Sequence, residues 1–178
     1  MRLWALRPPC RPGRPSPHAR NVRSFADRPI PAADLDQILE AGRRSPSSQN
    51  WQPWDFILIT DREQLRELAN VWRGAGHVAQ SAATIVVVGP AADNEFQRAQ
   101  LDLGQATMAM MLAAADLGIG SCHAGVADIR LARDLLGFPE DRGWTLLISL
   151  GYPADRPLAP IKTPKRRPFD DVVHRGVW

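Results

Sequence analysis

The sequence predicts a mixed α/β sandwich built around one buried helix. Three observations carry that prediction. Apolar, β-branched runs alternate with stretches whose apolar residues recur at helical spacing. One helix-length segment, Ala106 to Ala115 (ATMAMMLAAA), is apolar on every side, as a helix running through a core would be. The chain has 178 residues, 44% of them hydrophobic, which is enough for one substantial core and short for two.

The elements follow in order. Asp34 to Arg44 places Leu35, Ile38 and Leu39 at helical spacing. Trp54 to Ile59 reads as a buried strand. Thr60-Asp61-Arg62-Glu63 has the pattern of a capping box with Thr60 as the cap, and Leu65, Leu68 and Val71 then mark one helix face. Ala83 to Gly89 (ATIVVVG) is continuously apolar, the mark of a strand covered on both faces. Asn94 to Leu117 is the longest helix, with Gly118 as its stop. Ile129, Ala132, Leu135 and Leu136 form a short helix ended by Gly137, and Trp144 to Tyr152 is the last core strand.

Charge is unevenly distributed. The net charge is +3, yet residues 1–26 hold six Arg and no acid, so residues 27–178 carry 16 basic against 19 acidic side chains. The pI of 9.4 therefore comes from the leader and does not indicate a basic nucleic-acid face. Residues 1–19, with five Pro and four Arg, lack helical periodicity and lack the apolar core of a signal peptide. They read as a disordered extension or an over-long start ahead of a domain at 20–178, with a mitochondrial-type targeting segment as the alternative. No apolar run of about 18 residues is free of interruption, so no membrane span is expected. Cys10 and Cys122 form neither a disulfide framework nor a metal-ligand pattern, and a reducing compartment is the default.

The segment Arg43-Arg44-Ser45-Pro46-Ser47-Ser48-Gln49-Asn50-Trp51-Gln52-Pro53-Trp54 sets hydroxyls and amides between prolines, with two Trp among them. Two readings fit: a Pro-rich turn stapled to the core by Trp, or a loop for a ligand with a flat aromatic face and a polar edge. The order of further features favours the second. Asn21-Val22-Arg23-Ser24-Phe25 comes first, then Pro-Ser-Ser-x-Asn-x-Gln-Pro-Trp, then Leu117-Gly118-Ile119-Gly120-Ser121, then Gly151-Tyr152-Pro153, then Lys165-Arg166-Arg167-Pro168. From about residue 20 to the C-terminus this order resembles the nitroreductase family of FMN-dependent oxidoreductases.

The resemblance implies a three-layer αβα sandwich forming an intertwined homodimer, with FMN at the shared interface. It implies that NAD(P)H reduces the flavin, which passes electrons to a nitroaromatic, quinone or similar small acceptor by a ping-pong cycle. The cofactor carries the chemistry, so no catalytic side chain and no metal are nominated. Arg20, Asn21 and Arg23 would form the first FMN segment, with Arg23 a fixed cation near the pyrimidine edge of the ring. Ala19 stands where the family usually has an Arg for the phosphate. Pro46, Ser47, Ser48, Asn50 and Gln52 would meet the ribityl chain and the polar edge of the ring; Asn50 would alternatively hold its own loop together. Cys122, His123 and Ala124 fall on the segment that passes along the flavin, and His123 or Ala124 would offer a backbone N–H to the ring. A Cys122–His123 nucleophile pair is disfavoured, because neighbours on an extended chain point to opposite sides. Lys165 and Arg167 would converge on the phosphate while Arg166 faces out. Met108-Ala109 replace a Gln-Asn pair common in relatives, and Asp102 carries no assigned role.

The implied protein is cytoplasmic and binds neither nucleic acid nor membrane. Its rivals are a non-catalytic FMN-binding or redox-sensing protein, reduced-flavin oxygen chemistry on the same fold, and a basic interaction protein acting through residues 1–26.

Overall fold

The computed structural model describes residues 20–91, 93–159 and 165–178. The leader at 1–19, with Cys10 and Ala19, lies outside the described residues, as does Lys162. Four antiparallel strands form one sheet in the order β1 (Asp55–Ile59), β2 (Ala83–Pro90), β4 (Arg142–Gly151), β3 (Gly120–Gly125). The two most apolar runs became the two central strands, because only a strand paired on both sides and covered on both faces needs apolar residues at every position. All of β2 is buried.

Helices cover both faces, giving the three expected layers. Ile85, Val87, Ile148 and Leu150 pack against α1 (Ala32–Arg43) and α3 (Asp93–Asp116), through Leu35, Ile38, Leu103 and Met110. Val86, Val88 and Leu147 pack on the opposite side against α2 (Arg62–Leu68) and α4 (Ile129–Leu136), through Leu65, Leu68 and Ala132. Each fully buried aliphatic side chain contributes about 1.5–3 kcal/mol of transfer free energy. Gly118 and Gly137 end their helices with φ of 75° and 70°, which the missing Cβ makes free of strain.

Several sequence expectations shift. The cap of α2 is Asp61, whose carboxylate accepts the Gln64 N–H at 2.9 Å. The box is thus Asp61-x-x-Gln64, one residue beyond Thr60, and it places a negative charge at the helix N-terminus. Val71 lies in the 3-10 turn that follows α2. Strand β1 is an edge strand with Asp55 and Leu58 exposed, not a buried one. Helix α3 runs through the core on one side only. Its outer stripe leaves Leu101 at 73%, Met108 at 49% and Leu112 at 36% exposure. Among the described residues these apolar side chains have no covering layer.

Candidate functional site

The N-terminal segment lies across the ends of β3 and β4. The Val22 N–H donates to the Ser121 carbonyl at 2.8 Å, the Ala26 N–H to Tyr152 at 2.8 Å, and the Ala154 N–H to Ser24 at 3.0 Å. Val22 and Phe25 face inward and are buried. They fit because Gly120 and Gly151, opposite each other in the ladder, have no Cβ: one at Gly120 would stand 2.8 Å from Val22, and one at Gly151 2.7 Å from Phe25. Alternation along the extended segment then turns Asn21 and Arg23 outward.

Where this segment meets α3 there is a cavity of about 430 Å³. One wall is apolar, from Met108, Met111, Leu112 and Ala115 of α3 with Ile119. The other is polar, from Arg20, Asn21, Ser121, His123, Arg156 and Arg166. A second cavity of about 390 Å³ shares Met108, Met111 and His123 with the first. It adds Thr107, whose buried hydroxyl has no hydrogen-bond partner in the structure. The Arg20 guanidinium donates to the carbonyls of Arg156 at 2.9 Å and Pro157 at 3.3 Å, which ties down the loop carrying Arg156.

Strand β3 is the sheet edge beside this cavity. The Ser121 carbonyl points away from β4, toward Val22. Backbone polar groups alternate sides along an antiparallel strand, so the N–H groups of His123 and Gly125 share that outward direction while that of Ala124 points into the ladder. Of the two amides the resemblance nominated, only His123's is open. Its side chain also lines both cavities. Cys122 and Ala124 are buried on the face of the sheet toward α2 and α4, so neither side chain reaches the cavity. Burial pushes the Cys122 thiol above its ordinary range, partly offset by Arg23, which removes the thiolate a nucleophile would need.

The segment 46–52 contributes no wall to either cavity. Its two Trp act as the staple: Trp54 is core, and Trp51 packs on the same cluster with the Arg98 guanidinium 5.2 Å from its ring centroid. The polar residues Ser48, Gln49, Asn50 and Gln52 stay outside. Gln49, Asn50 and Gln52 hold φ of 52°, 58° and 53°, left-handed conformations that cost a non-glycine residue about 1 kcal/mol or more each. Internal bonds hold this shape. The Gln52 N–H donates to Ser47 Oγ at 2.9 Å, and Gln52 Nε2 to the Asn50 carbonyl at 3.2 Å. From α3, the buried Asp102 carboxylate accepts the Ser48 N–H at 3.0 Å. Asp102, left without a role by the sequence, is thus buried and anchors the loop. Pro46, Ser48, Asn50 and Gln52 remain exposed, and the Ser47 hydroxyl still has a proton to donate.

Of the basic tail, the structure sets Arg166 rather than Lys165 and Arg167 beside the cavity. Arg166 enters the cavity wall; Lys165 is exposed, and Arg167 donates to the Asp171 carbonyl at 2.7 Å. Arg23 does not line the cavity, although its charge acts on His77 and Cys122. Two polar residues escaped the sequence. Arg156 sits just past Gly151-Tyr152-Pro153, a motif that marked only the strand end. His77, in the 3-10 turn Gly76–Gln80, is buried at 9% exposure, with Nδ1 2.7 Å from Ser149 Oγ. Its ring is held below the ordinary value of 6.5, first by burial and then by Arg23 and His123. Among the described residues there is no cluster of three or more His, Cys, Asp or Glu able to hold a metal ion.

The walls suit a ligand that is flat, anionic and hydrogen-bonding in its plane. The apolar shelf suits a ring face, the strand edge offers an in-plane donor, and Arg20, Arg156 and Arg166 line the cavity with positive charge suited to an anion. The model of the Nitroreductase family matches residues 18–90 and 70–152. A protein of Archaeoglobus fulgidus, provisionally described as an NADH dehydrogenase/NAD(P)H nitroreductase, is 34% identical over 168 residues, spanning 89% of this chain and 94% of its own. The oxygen-insensitive NADPH nitroreductase of Salmonella typhimurium is 33% identical over 175 residues, spanning 89% and 71%. A crystal structure from Parabacteroides distasonis with the same provisional description as the Archaeoglobus protein superposes with a TM-score of 0.76 at 28% identity, over 89% of this chain and 94% of that one. Sequence match, fold and the ordered segments around the cavity agree, and the chain belongs to the nitroreductase family.

Proposed function

We propose that this chain is an FMN-dependent NAD(P)H oxidoreductase that works as a homodimer. The observation that carries the reading is the cavity, where an apolar helix face, an open strand-edge amide and three Arg meet. When bound, FMN supplies the two-electron relay between NAD(P)H and the acceptor. Arg20, Arg156 and Arg166 supply cations for its phosphate, since a dianion leaves water only against fixed positive charge. Met108, Met111 and Leu112 cover a ring face and exclude water. The His123 amide fixes the in-plane orientation, and Arg23 adds positive potential behind the strand. Because the substrates meet one ring in turn, the reading includes a ping-pong cycle, with nitroaromatics and quinones as the acceptors. Relatives lend support: one from Vibrio harveyi is an NADPH-flavin oxidoreductase, and one from Bacillus subtilis is an FMN reductase.

Two gaps among the described residues support the dimer reading. The outer stripe of α3 is apolar and exposed, and segment 46–52 is shaped and polar yet borders neither cavity. A second copy packed on α3 fills the first gap and brings its own segment 46–52 toward the ligand. No helix among the described residues is long and apolar enough to cross a membrane. We place the enzyme in the cytoplasm, where reductant is available and the buried Cys122 stays a free thiol.

Purified protein is titrated with FMN, and its visible spectrum is recorded anaerobically before and after NAD(P)H. A bound flavin that bleaches with NAD(P)H and recolours with a quinone supports the reading. Folded protein that stays colourless at saturating FMN, with no heat in calorimetry, sinks it. Flavin that binds but resists NAD(P)H turns the assignment to a redox sensor.

A further inference from the structure

We propose that His77 is a positioning residue for the cavity edge of β3: through Ser149 it grips the Cys122–His123 peptide and so fixes and polarises the His123 amide. Only what that amide meets, the flavin, depends on the function proposed above. His77 Nδ1 lies 2.7 Å from Ser149 Oγ, and Ser149 Oγ donates to the Cys122 carbonyl at 3.1 Å. Ser149 is fully buried on β4, directly opposite Cys122 in the ladder. A carbonyl only accepts, so the Ser149 proton is committed to it and His77 Nδ1–H must be the donor to Ser149. This assigns the ring as the Nδ1–H tautomer.

The consequence comes from peptide geometry. In a planar trans peptide the carbonyl and the following N–H point in opposite directions. The ladder's own alternation turns the Cys122 carbonyl toward β4 and the His123 N–H to the open edge, where the cavity lies, and the Ser149 hydroxyl adds a second hold on that carbonyl. The four groups (Nδ1–H, Oγ–H, C=O, N–H) form one chain running from the back of the sheet to its edge. Bonds in such a chain strengthen one another by about 10–30% each, so the terminal amide becomes a better donor than an isolated one. Burial with Arg23 and His123 nearby favours the neutral ring, which can adopt the required tautomer.

Three variants test the chain. His77→Phe keeps a ring and removes the donor, Ser149→Ala breaks the relay midway, and His77→Asn restores an N–H near the same place. The readouts are the ¹⁵N–¹H shift of the His123 amide in the FMN-free protein, the FMN dissociation constant, and the midpoint potential of bound FMN. Expected are matching amide shifts in His77→Phe and Ser149→Ala, FMN binding weaker by about three- to tenfold in each, a double variant no worse than either single, and recovery in His77→Asn. A His77→Phe protein with the wild-type amide shift, affinity and potential overturns the proposal, and so do additive losses. Should the variants not fold, the ¹⁵N shifts of the wild-type imidazole decide, because a proton on Nε2 alone reverses the donor and overturns it. If wild-type protein binds no FMN, the flavin reading falls while the amide shifts still judge the hydrogen-bond chain.

Discussion

Gly120→Ala isolates the contact that seats the N-terminal segment beside the cavity. The added methyl would stand 2.8, 2.8 and 3.0 Å from Cβ, Cγ2 and Cγ1 of Val22, against 3.4 Å for ordinary contact. Val22 is 1% exposed and bonded to Ser121 through its N–H, so it cannot rotate away. The segment must move by about 0.6 Å, carrying Arg20 and Asn21 with it. Overpacking of this kind costs about 1–3 kcal/mol, and replacing a strand glycine returns about 0.5–1 kcal/mol. The expected net loss is about 1–2 kcal/mol by urea denaturation. FMN affinity should fall about tenfold, equivalent to about 1.4 kcal/mol of binding. Gly125→Ala is the control, on the same strand and with nothing within 4 Å of the new methyl. It should be neutral or slightly stabilising. If Gly120→Ala matches Gly125→Ala in both stability and FMN affinity, the close approach of Val22 does not seat the segment and the reasoning fails.

Other outcomes follow from the same geometry. Arg166→Ala should weaken FMN binding by about tenfold or more and Lys165→Ala by less, measured by fluorescence titration; the reverse order restores the phase inferred from the sequence. Asp102→Ala removes a buried charged acceptor from the Ser48 N–H and should lower stability by about 1.5–3 kcal/mol in urea, with Asp102→Asn intermediate. His77 has a folded value lowered from 6.5, so below pH 6.5 the unfolded chain takes up a proton first. Stability from this group is fully present above pH 6.5 and is lost as pH falls from there toward the folded value. His77→Asn should flatten that limb in urea melts taken across the range. Leu101→Glu alters an exposed residue that lines neither cavity, so light scattering should show a shift from dimer to monomer with little loss of far-ultraviolet dichroism.

The sequence by itself determined most of the helices and strands and their order along the chain. A continuous apolar run such as ATIVVVG has one stable use, a strand covered on both faces, and Gly118 and Gly137 stopped α3 and α4 by local backbone preference. Local chemistry also marked the polar loop at 46–52, and alternation along an extended chain put Cys122 and His123 on opposite faces; that Gly120–Gly125 is a strand at the sheet edge came from the structure. Tertiary structure alone decided what depends on distance between remote residues. Asp102 reaches Ser48 across 54 positions and His77 reaches Ser149 across 72, and no local pattern encodes either meeting. The phase of the basic tail, the entry of Arg156 and the open side of α3 are decided in the same way. Periodicity tells which residues share a face but not what the face will find opposite it, because burial is settled by the neighbour that arrives.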